Sequence, residues 1–424
     1  MSESRPAERI GLYGPWGYGN LGCAATVEAA IQNIRTYRPN AELVCFSLNP
    51  ADTEERHGVP TYTIGTGGWN EELGPGELPS TRLAAWLLSR RSPVLQRAGR
   101  LVRRLRLELG MIPRTYRRLK PLDLLIVTGG GQLLDFWGSS STHPFWLLKY
   151  AVLSKLTGTK LIFLSVGAGP LDARLSRLFC KAALRLSSYR SYRDEASRSF
   201  VRTKLNVRKD DPVYPDLAYS LRAEVRCKAE SEQPVVGLGV MAYCDPRHWP
   251  EKDSAVYAEY LEKMASFADW LMDKHYRISL LVGESSADRL AVKDFNTVLR
   301  SRDGWKHKAA LIKEETILTV PDLLQQIAQT DWVVASRLHN VLLATFLQKP
   351  VIALSYHPKI DALMEDAGQA RYCLPIQRFD LQTLKDRFTD LQEHAGEITR
   401  HFAGMVPSHR LALEEQYGRV FQQF

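Results

Sequence analysis

The chain has 424 residues, 45% hydrophobic, 24% charged and 9% aromatic, a composition that excludes disordered, collagen-like and coiled-coil classes and, at about 100–200 residues per domain, provides for two or three domains. Its 56 Lys and Arg outnumber 47 Asp and Glu, and the excess is local: Ser89–Lys120 holds eleven basic residues and one acid, Glu108. That distribution points to one local anionic partner and away from a nucleic-acid binder, whose basic residues would spread over a face with aromatics among them.

In chain order, short apolar runs alternate with helical stretches, the pattern of parallel sheets covered by helices. Arg9–Tyr13, Glu42–Leu48, Leu122–Thr128, Lys160–Val166 and Ser188–Arg193 read as strands, with helices over Thr26–Tyr37, Phe145–Leu156 and Ala173–Leu186. The polar stretch Ser220–Pro234 marks a domain boundary. Beyond it the alternation restarts: strand Val235–Val240, helix Ala255–Lys274, strand Ile278–Val282, helix Asp288–Arg300, helix Pro321–Gln329, strand Trp332–Ala335, helix His339–Leu347, strand Pro350–Leu354, and a final helix Pro407–Phe424. The expected architecture is α/β, with two doubly wound Rossmann-like domains facing a central cleft, a GT-B-like plan. Residues 1–220 form the first domain with a basic helical insertion at 82–120, 233–395 form the second, and 396–424 pack back on the first. The six cysteines show neither CxxC spacing nor a His cluster, so no metal site and no disulfide framework is expected. MSESRPAERI lacks an apolar core, and no apolar run approaches the ~18 residues of a membrane span, so a cytoplasmic protein is expected.

Three glycine turns follow strands. Gly17, Gly19 and Gly22 satisfy G-x-G-x-x-G, but the next strand ends in Ser47, Leu48 and Asn49 where a ribose-binding acid should stand, which argues against a dinucleotide. What remains is a backbone N–H cradle for an anion at a helix N-terminus, with the Asn20 amide at its rim. Gly129-Gly130-Gly131 and Gly167-Ala-Gly169 repeat the arrangement, although each turn read alone needs no more than a tight connection. Arg193 follows a strand with Asp194 and Glu195 at the next helix N-terminus, and it reads equally as an ion-pair partner for one of them. Arg337 and His339 stand where Trp332–Ala335 passes into a helix, and Lys359 leaves the following strand. Arg193, Arg337, His339 and Lys359, with no clustered carboxylates among them, suit a small multiply charged anion such as a phosphate or carboxylate.

Gly19-Asn-Leu-Gly22, Gly129-Gly-Gly131, Ser165-Val-Gly-Ala-Gly-Pro170, Tyr192-Arg-Asp-Glu-Ala-Ser197, Tyr214-Pro-Asp216, Ser336-Arg-Leu-His339 and Ser355-Tyr-His-Pro-Lys359 occur in that order. In this set the chain resembles the polysaccharide pyruvyl transferases. It departs from them at Cys23, where the family usually has Asp. The resemblance implies transfer of an enolpyruvyl unit from phosphoenolpyruvate to a sugar of a bacterial surface polymer or its lipid-linked precursor, giving a cyclic pyruvate ketal. It also implies that Arg193, His339 and Lys359 contact phosphoenolpyruvate, with Gly19, Asn20 and Arg337 completing the expected site. No cofactor is expected besides this donor substrate. His339 is the expected proton donor, since an imidazole ordinarily titrates near 6.5; Asp194 and Glu195 remain alternatives. A nucleotide-sugar glycosyltransferase and a non-catalytic glycan- or lipid-binding relative are the rival readings. Finally, Leu95, Leu101, Val102, Leu105 and Leu109 interleave with Arg97, Arg100, Arg103, Arg104 and Arg106, as in helices that lie on anionic membranes, so peripheral attachment to the inner face of the cytoplasmic membrane is expected through Ser89–Lys120. An ordinary solvated basic helix fits the same residues.

Overall fold

A computed structural model describes residues 7–66, 93–135, 142–228 and 233–424, with the backbone alone in 93–105. The chain divides into two α/β units. The first comprises Met1–Tyr18 and Arg38–Val213 with Phe424; the second comprises Gly19–Tyr37 and Tyr214–Gln423.

The first unit holds β1 (Arg9–Tyr13), β2 (Glu42–Ser47), β3 (Thr61–Thr63), β4 (Leu124–Thr128), β5 (Gly131–Leu133), β6 (Lys160–Ala168) and β7 (Tyr189–Tyr192). The order is β3-β2-β1-β4-β6-β5, with β7 also on β6, and the pairings are parallel. All five residues of β4, LLIVT, are buried, as a strand covered on both faces requires. Helices Pro93–Leu119, His143–Thr157 and Arg174–Leu186 pack side by side in that order.

Within the basic stretch, the single acid explains how its helix is held. Glu108 is buried, and its carboxylate accepts from Lys149 Nζ at 2.7 Å, Trp146 Nε1 at 2.7 Å, and the Thr66 N–H and hydroxyl at 2.7 and 2.8 Å. Burial alone would raise its pKa, but Lys149 and the Thr66 hydrogen bonds outweigh that and hold it below the ordinary carboxylate range. Glu108→Ala would strand a buried ammonium, so the first unit is expected to lose about 3–5 kcal/mol, measurable as an earlier urea transition; a loss near zero would mean that Lys149 finds water. Of the apolar and basic residues read along this helix, Leu95, Leu101, Val102, Leu105, Arg97, Arg100, Arg103 and Arg104 lie outside the described side chains, as do residues 82–92 of the insertion. Arg106 is exposed and Leu109 is 61% exposed.

The second unit holds β8 (Val235–Gly239), β9 (Arg277–Leu280), β10 (Ile312–Glu314), β11 (Trp332–Ala335), β12 (Val351–Ser355) and β13 (Cys373–Pro375). Its parallel sheet runs β10-β9-β8-β11-β12-β13, the doubly wound order whose direction reverses between β8 and β11, where such sheets bind ligands.

Three domain expectations change. The boundary falls at Val213/Tyr214 and not within 220–233. Helix Leu21–Tyr37, expected as part of residues 1–220, belongs to the second unit, because its eleven buried residues leave little polar surface and its polar groups bond there. Asn33 Nδ2 donates to Ser220 Oγ at 3.0 Å, Gln32 Oε1 accepts from Arg222 N at 2.8 Å, and the Tyr37 hydroxyl donates to Glu414 O at 3.0 Å. The terminal helix, Ala395–Gln423 with Pro407 inside it, packs on the turn Leu217–Ser220 and helices Leu21–Tyr37 and Leu338–Phe346; the first two lie within the expected 1–220 but group with the second unit.

Candidate functional site

The reversal point of the second sheet gathers most of the expected residues. β11 ends at Ala335 and helix Leu338–Phe346 begins; its N-cap is Arg337, with no side chain capping it among the described residues. The first turn of a helix is where an anion is favoured, through its N–H groups and the helix dipole. His339 lies in that turn. Its ring rests on helix Leu21–Tyr37 at Gly22, where an added Cβ would come within 2.1 Å of Cγ and Nδ1. Nε2 sits 3.5 Å from Thr26 Oγ1, whose own proton goes to Gly22 O at 3.2 Å. The Thr26 hydroxyl therefore faces Nε2 as an acceptor.

The glycine turn before that helix is fastened to the loop after β9. Ser285 N donates to Gly19 O at 2.9 Å, Leu21 N donates to Gly283 O at 3.1 Å, and Asn20 bridges to Glu284. Gly19 has φ of 67° and leaves no room for a Cβ beside Ser285 Oγ. This corrects the expected anion cradle. The Leu21 N–H is used by Gly283, and the Cys23 N–H by Asn20 Oδ1 at 3.0 Å, so Asn20 is the cap and retains only Nδ2 for a ligand. The other two turns are likewise occupied: Gly129 N donates to Leu164 O at 2.8 Å and Gly167 N to Gly130 O at 2.7 Å.

Arg337 does not stand free as the sequence suggested. Its Nε and Nη2 fork Asp288 at 3.0 and 2.6 Å, and Nη2 also reaches Glu284 at 3.2 Å. Asp288 in turn accepts from Gly283 N and Glu284 N at 3.2 and 2.9 Å. Burial works against the charge on Arg337, but Asp288 outweighs it and raises the guanidinium pKa further, while burial pushes the Asp288 carboxyl up. Two carboxylates thus converge on this cation, contrary to the expected carboxylate-free cluster. Among the described residues only Nη1 of this guanidinium makes no bond. Lys359 lies in the first turn of helix Pro358–Asp366, capped by His357 Nδ1, which accepts the Lys359 N–H at 3.2 Å. Its ammonium is 5.6 Å from the Tyr356 ring, and Tyr356 is among the groups that act on Arg337.

Arg193 belongs to the first unit. Its guanidinium lies over Gly167, where a Cβ would be 3.0 Å from Cζ, and Nε pairs with Asp194 at 3.1 Å. Asp194 is also the N-cap of helix Glu195–Lys204, accepting from Ser197 N at 2.6 Å, while Glu195 pairs with Arg198 at the surface.

Two features escaped the sequence reading. Asn340, buried against Gly239 and Gly283, has neither amide atom bonded among the described residues. Its signal is a lone amide inside the apolar helix LHNVLLATF, and an unpaired amide costs about 1–3 kcal/mol unless a ligand satisfies it. At the ends of β1 and β4, the Tyr13 hydroxyl, Thr128 Oγ1, Gln132 Oε1 and His143 Nδ1 are also buried without partners among the described residues. His143 Nε2 lies 2.9 Å from Gln132 O, and burial lowers its pKa to about 4, so its ring is neutral at pH 7 with Nδ1 as an acceptor.

The sequence profile described as polysaccharide pyruvyl transferase matches residues 20–358, a span that holds Asn20, Arg193, Arg337 and His339. The chain belongs to the polysaccharide pyruvyl transferase family. Its fold is shared with the UDP-GlcNAc 2-epimerase of Neisseria meningitidis bound to UDP-GlcNAc (TM-score 0.59, 9% identity, 98% of this chain and 100% of that one) and that of Methanocaldococcus jannaschii (0.53, 12%, 90% and 92%). A glycosyltransferase of Rickettsia africae aligns similarly (0.51, 10%, 99% of each chain). At such identities these establish the fold, the GT-B class of α/β protein, and nothing of the chemistry. No curated protein matches the sequence significantly.

Proposed function

We propose that this pyruvyl transferase uses phosphoenolpyruvate as donor and a sugar of a bacterial surface polysaccharide, or its lipid-linked precursor, as acceptor. The observation that carries this reading is His339 in the first turn of helix Leu338–Phe346, two residues after the Arg337 guanidinium and against Gly22 of the turn that bears Asn20. A phosphate or carboxylate at that helix end meets N–H donors, Arg337 Nη1, Asn20 Nδ2 and Lys359. His339 protonates the methylene carbon, an oxocarbenium-like centre forms at the adjacent carbon, and a sugar hydroxyl adds there and passes its proton to the phosphate group. Phosphate then leaves, and a second hydroxyl closes the ketal, its proton restoring the imidazolium. The donor already carries its leaving group, so the chemistry calls for no further cofactor or metal, and activity is expected to survive chelators.

The deciding experiment incubates the protein with phosphoenolpyruvate and a panel of synthetic and lipid-linked glycans, following phosphate release and product mass. Release of a nucleoside diphosphate from a nucleotide sugar, with phosphoenolpyruvate inert, would replace this reading with glycosyl transfer. No turnover of either donor would favour a non-catalytic glycan-binding role. Lys359→Ala and Arg193→Ala are each expected to remove a charge-assisted contact of about 1.5–3 kcal/mol, read as a rise of roughly 10- to 100-fold in KM for phosphoenolpyruvate; unchanged KM in both withdraws them from donor binding.

A further inference from the structure

We propose that the outer face of helices His143–Thr157 and Arg174–Leu186 is a docking surface for an anionic lipid bilayer. Val152 and Leu156 are 40% and 65% exposed, and Leu175 and Leu178 are 56% and 57% exposed. The spacings are one helical turn, so each pair shares one side of its helix, and the two helices pack against each other, with Phe145 and Phe179 in ring contact at 6.1 Å. Single exposed apolar residues are ordinary on a soluble protein, but here each of two adjacent helices carries a pair, one toward the end of His143–Thr157 and one near the start of Arg174–Leu186.

The charge around the patch identifies that partner. Neither helix contains an Asp or Glu, and the nearest in sequence is Asp172, just before the second helix. Arg174, Leu178, Lys181 and Arg185 follow one another along one side of that helix, and Lys155 adjoins Leu156. Apolar side chains ringed by long cationic ones are the arrangement of interfacial helices, which sink leucines into the acyl boundary while the cations reach the headgroups. A second copy of this chain is a poorer occupant, because a symmetric contact would bring the two cationic rims together. Helix Pro93–Leu119 packs on the far side of His143–Thr157 and adds exposed Leu109 and Arg106, but the surface stands on residues other than the Ser89–Lys120 set. Among the described residues no helix is long and apolar enough to cross a membrane, so attachment here is peripheral. The inference rests on the proposed lipid-linked acceptor for its purpose and not for its grounds.

Sedimentation with phosphatidylcholine vesicles, with and without phosphatidylglycerol, tests it. The full chain is expected to bind only the anionic vesicles, and less as salt rises. The pair L156S/L178S should weaken binding at least about tenfold and the triple R174Q/K181Q/R185Q about a hundredfold. Phosphate release with a water-soluble acceptor and the melting temperature should stay at wild-type values in both. Wild type failing to bind, or both variants binding like wild type, overturns the proposal. So does R97Q/R100Q/R103Q/R104Q alone abolishing binding, which would place the contact on the basic helix. A dimer that L156S/L178S dissociates, without vesicle binding, would assign the face to a second copy. Vesicle binding without any phosphoenolpyruvate turnover would instead count against the proposed reaction and leave the surface standing.

Discussion

Replacing His339 by alanine is expected to lower transfer by about 10²- to 10⁴-fold, the usual contribution of a positioned general acid, with both units still folded. The ring is only partly buried, and removing a partly buried side chain at a helix start is not among the changes that unfold a domain. His339→Gln separates the two roles the ring could have. An amide can still meet Thr26 and fill the space over Gly22, yet it has no proton to give at neutral pH, so Gln should be as inactive as Ala. KM for phosphoenolpyruvate should change little in either variant if Arg337, Lys359 and the helix N-terminus hold the donor. A His339→Gln variant with most of its turnover intact would make the imidazole a positioning group and return Asp194 and Glu195 to consideration. Their present commitments, Asp194 to a helix cap and to Arg193 and Glu195 to Arg198, count against them as acids.

What could be read from the sequence follows from where the information lies. β1 and β11 have the expected bounds because a short apolar run between polar breaks is a local signal, and the same signal puts Arg337 and His339 at a strand-to-helix passage. Helix Pro50–His57 has no apolar period to announce it, since it buries only Thr53 and His57; its determinants are the Asn49 cap and the left-handed Gly58. The pairing of Arg337 is hidden from a local reading because its partner Asp288 lies 49 residues upstream, and no local spacing announces it. Likewise helix Leu21–Tyr37 sits between two strands of the first sheet in sequence, where a crossover helix of that sheet is the natural expectation. Its true neighbours, helices Val320–Ala328, Leu338–Phe346 and Ala395–Gln423, come from a distant part of the chain. The three glycines of its turn have the spacing of a phosphate-binding fingerprint. Their contacts are steric instead: Gly17 against Asn49, Gly19 against Ser285, and Gly22 against His339.

That last contact makes Gly22→Ala the sharpest test of the site. The added methyl would stand 2.1 Å from Cγ and Nδ1 of His339 and 2.3 Å from its Cβ, separations that no side-chain rotation absorbs, because the clash reaches the base of the ring. The helix cannot easily retreat, since Leu21 and Asn20 are tied to Gly283 and Glu284. Alanine is favoured over glycine within a helix by about 0.5–1 kcal/mol, but overpacking of this kind costs about 1–3 kcal/mol, so a net loss of stability is expected. Transfer should fall nearly as far as in His339→Ala, because the imidazole is pushed off its position. The two changes should not add. Once His339→Ala has cut the ring back to a methyl, the space opposite Gly22 is more open, and Gly22→Ala on that background should cost little further activity and stability or even recover part of the helix preference. A double-mutant cycle reads this directly, as a coupling of about 1–3 kcal/mol in the denaturant midpoint and of about 3–5 kcal/mol in turnover, the loss the two single changes share. Additive losses would show that Gly22 matters for the turn itself and that His339 owes its position to other contacts.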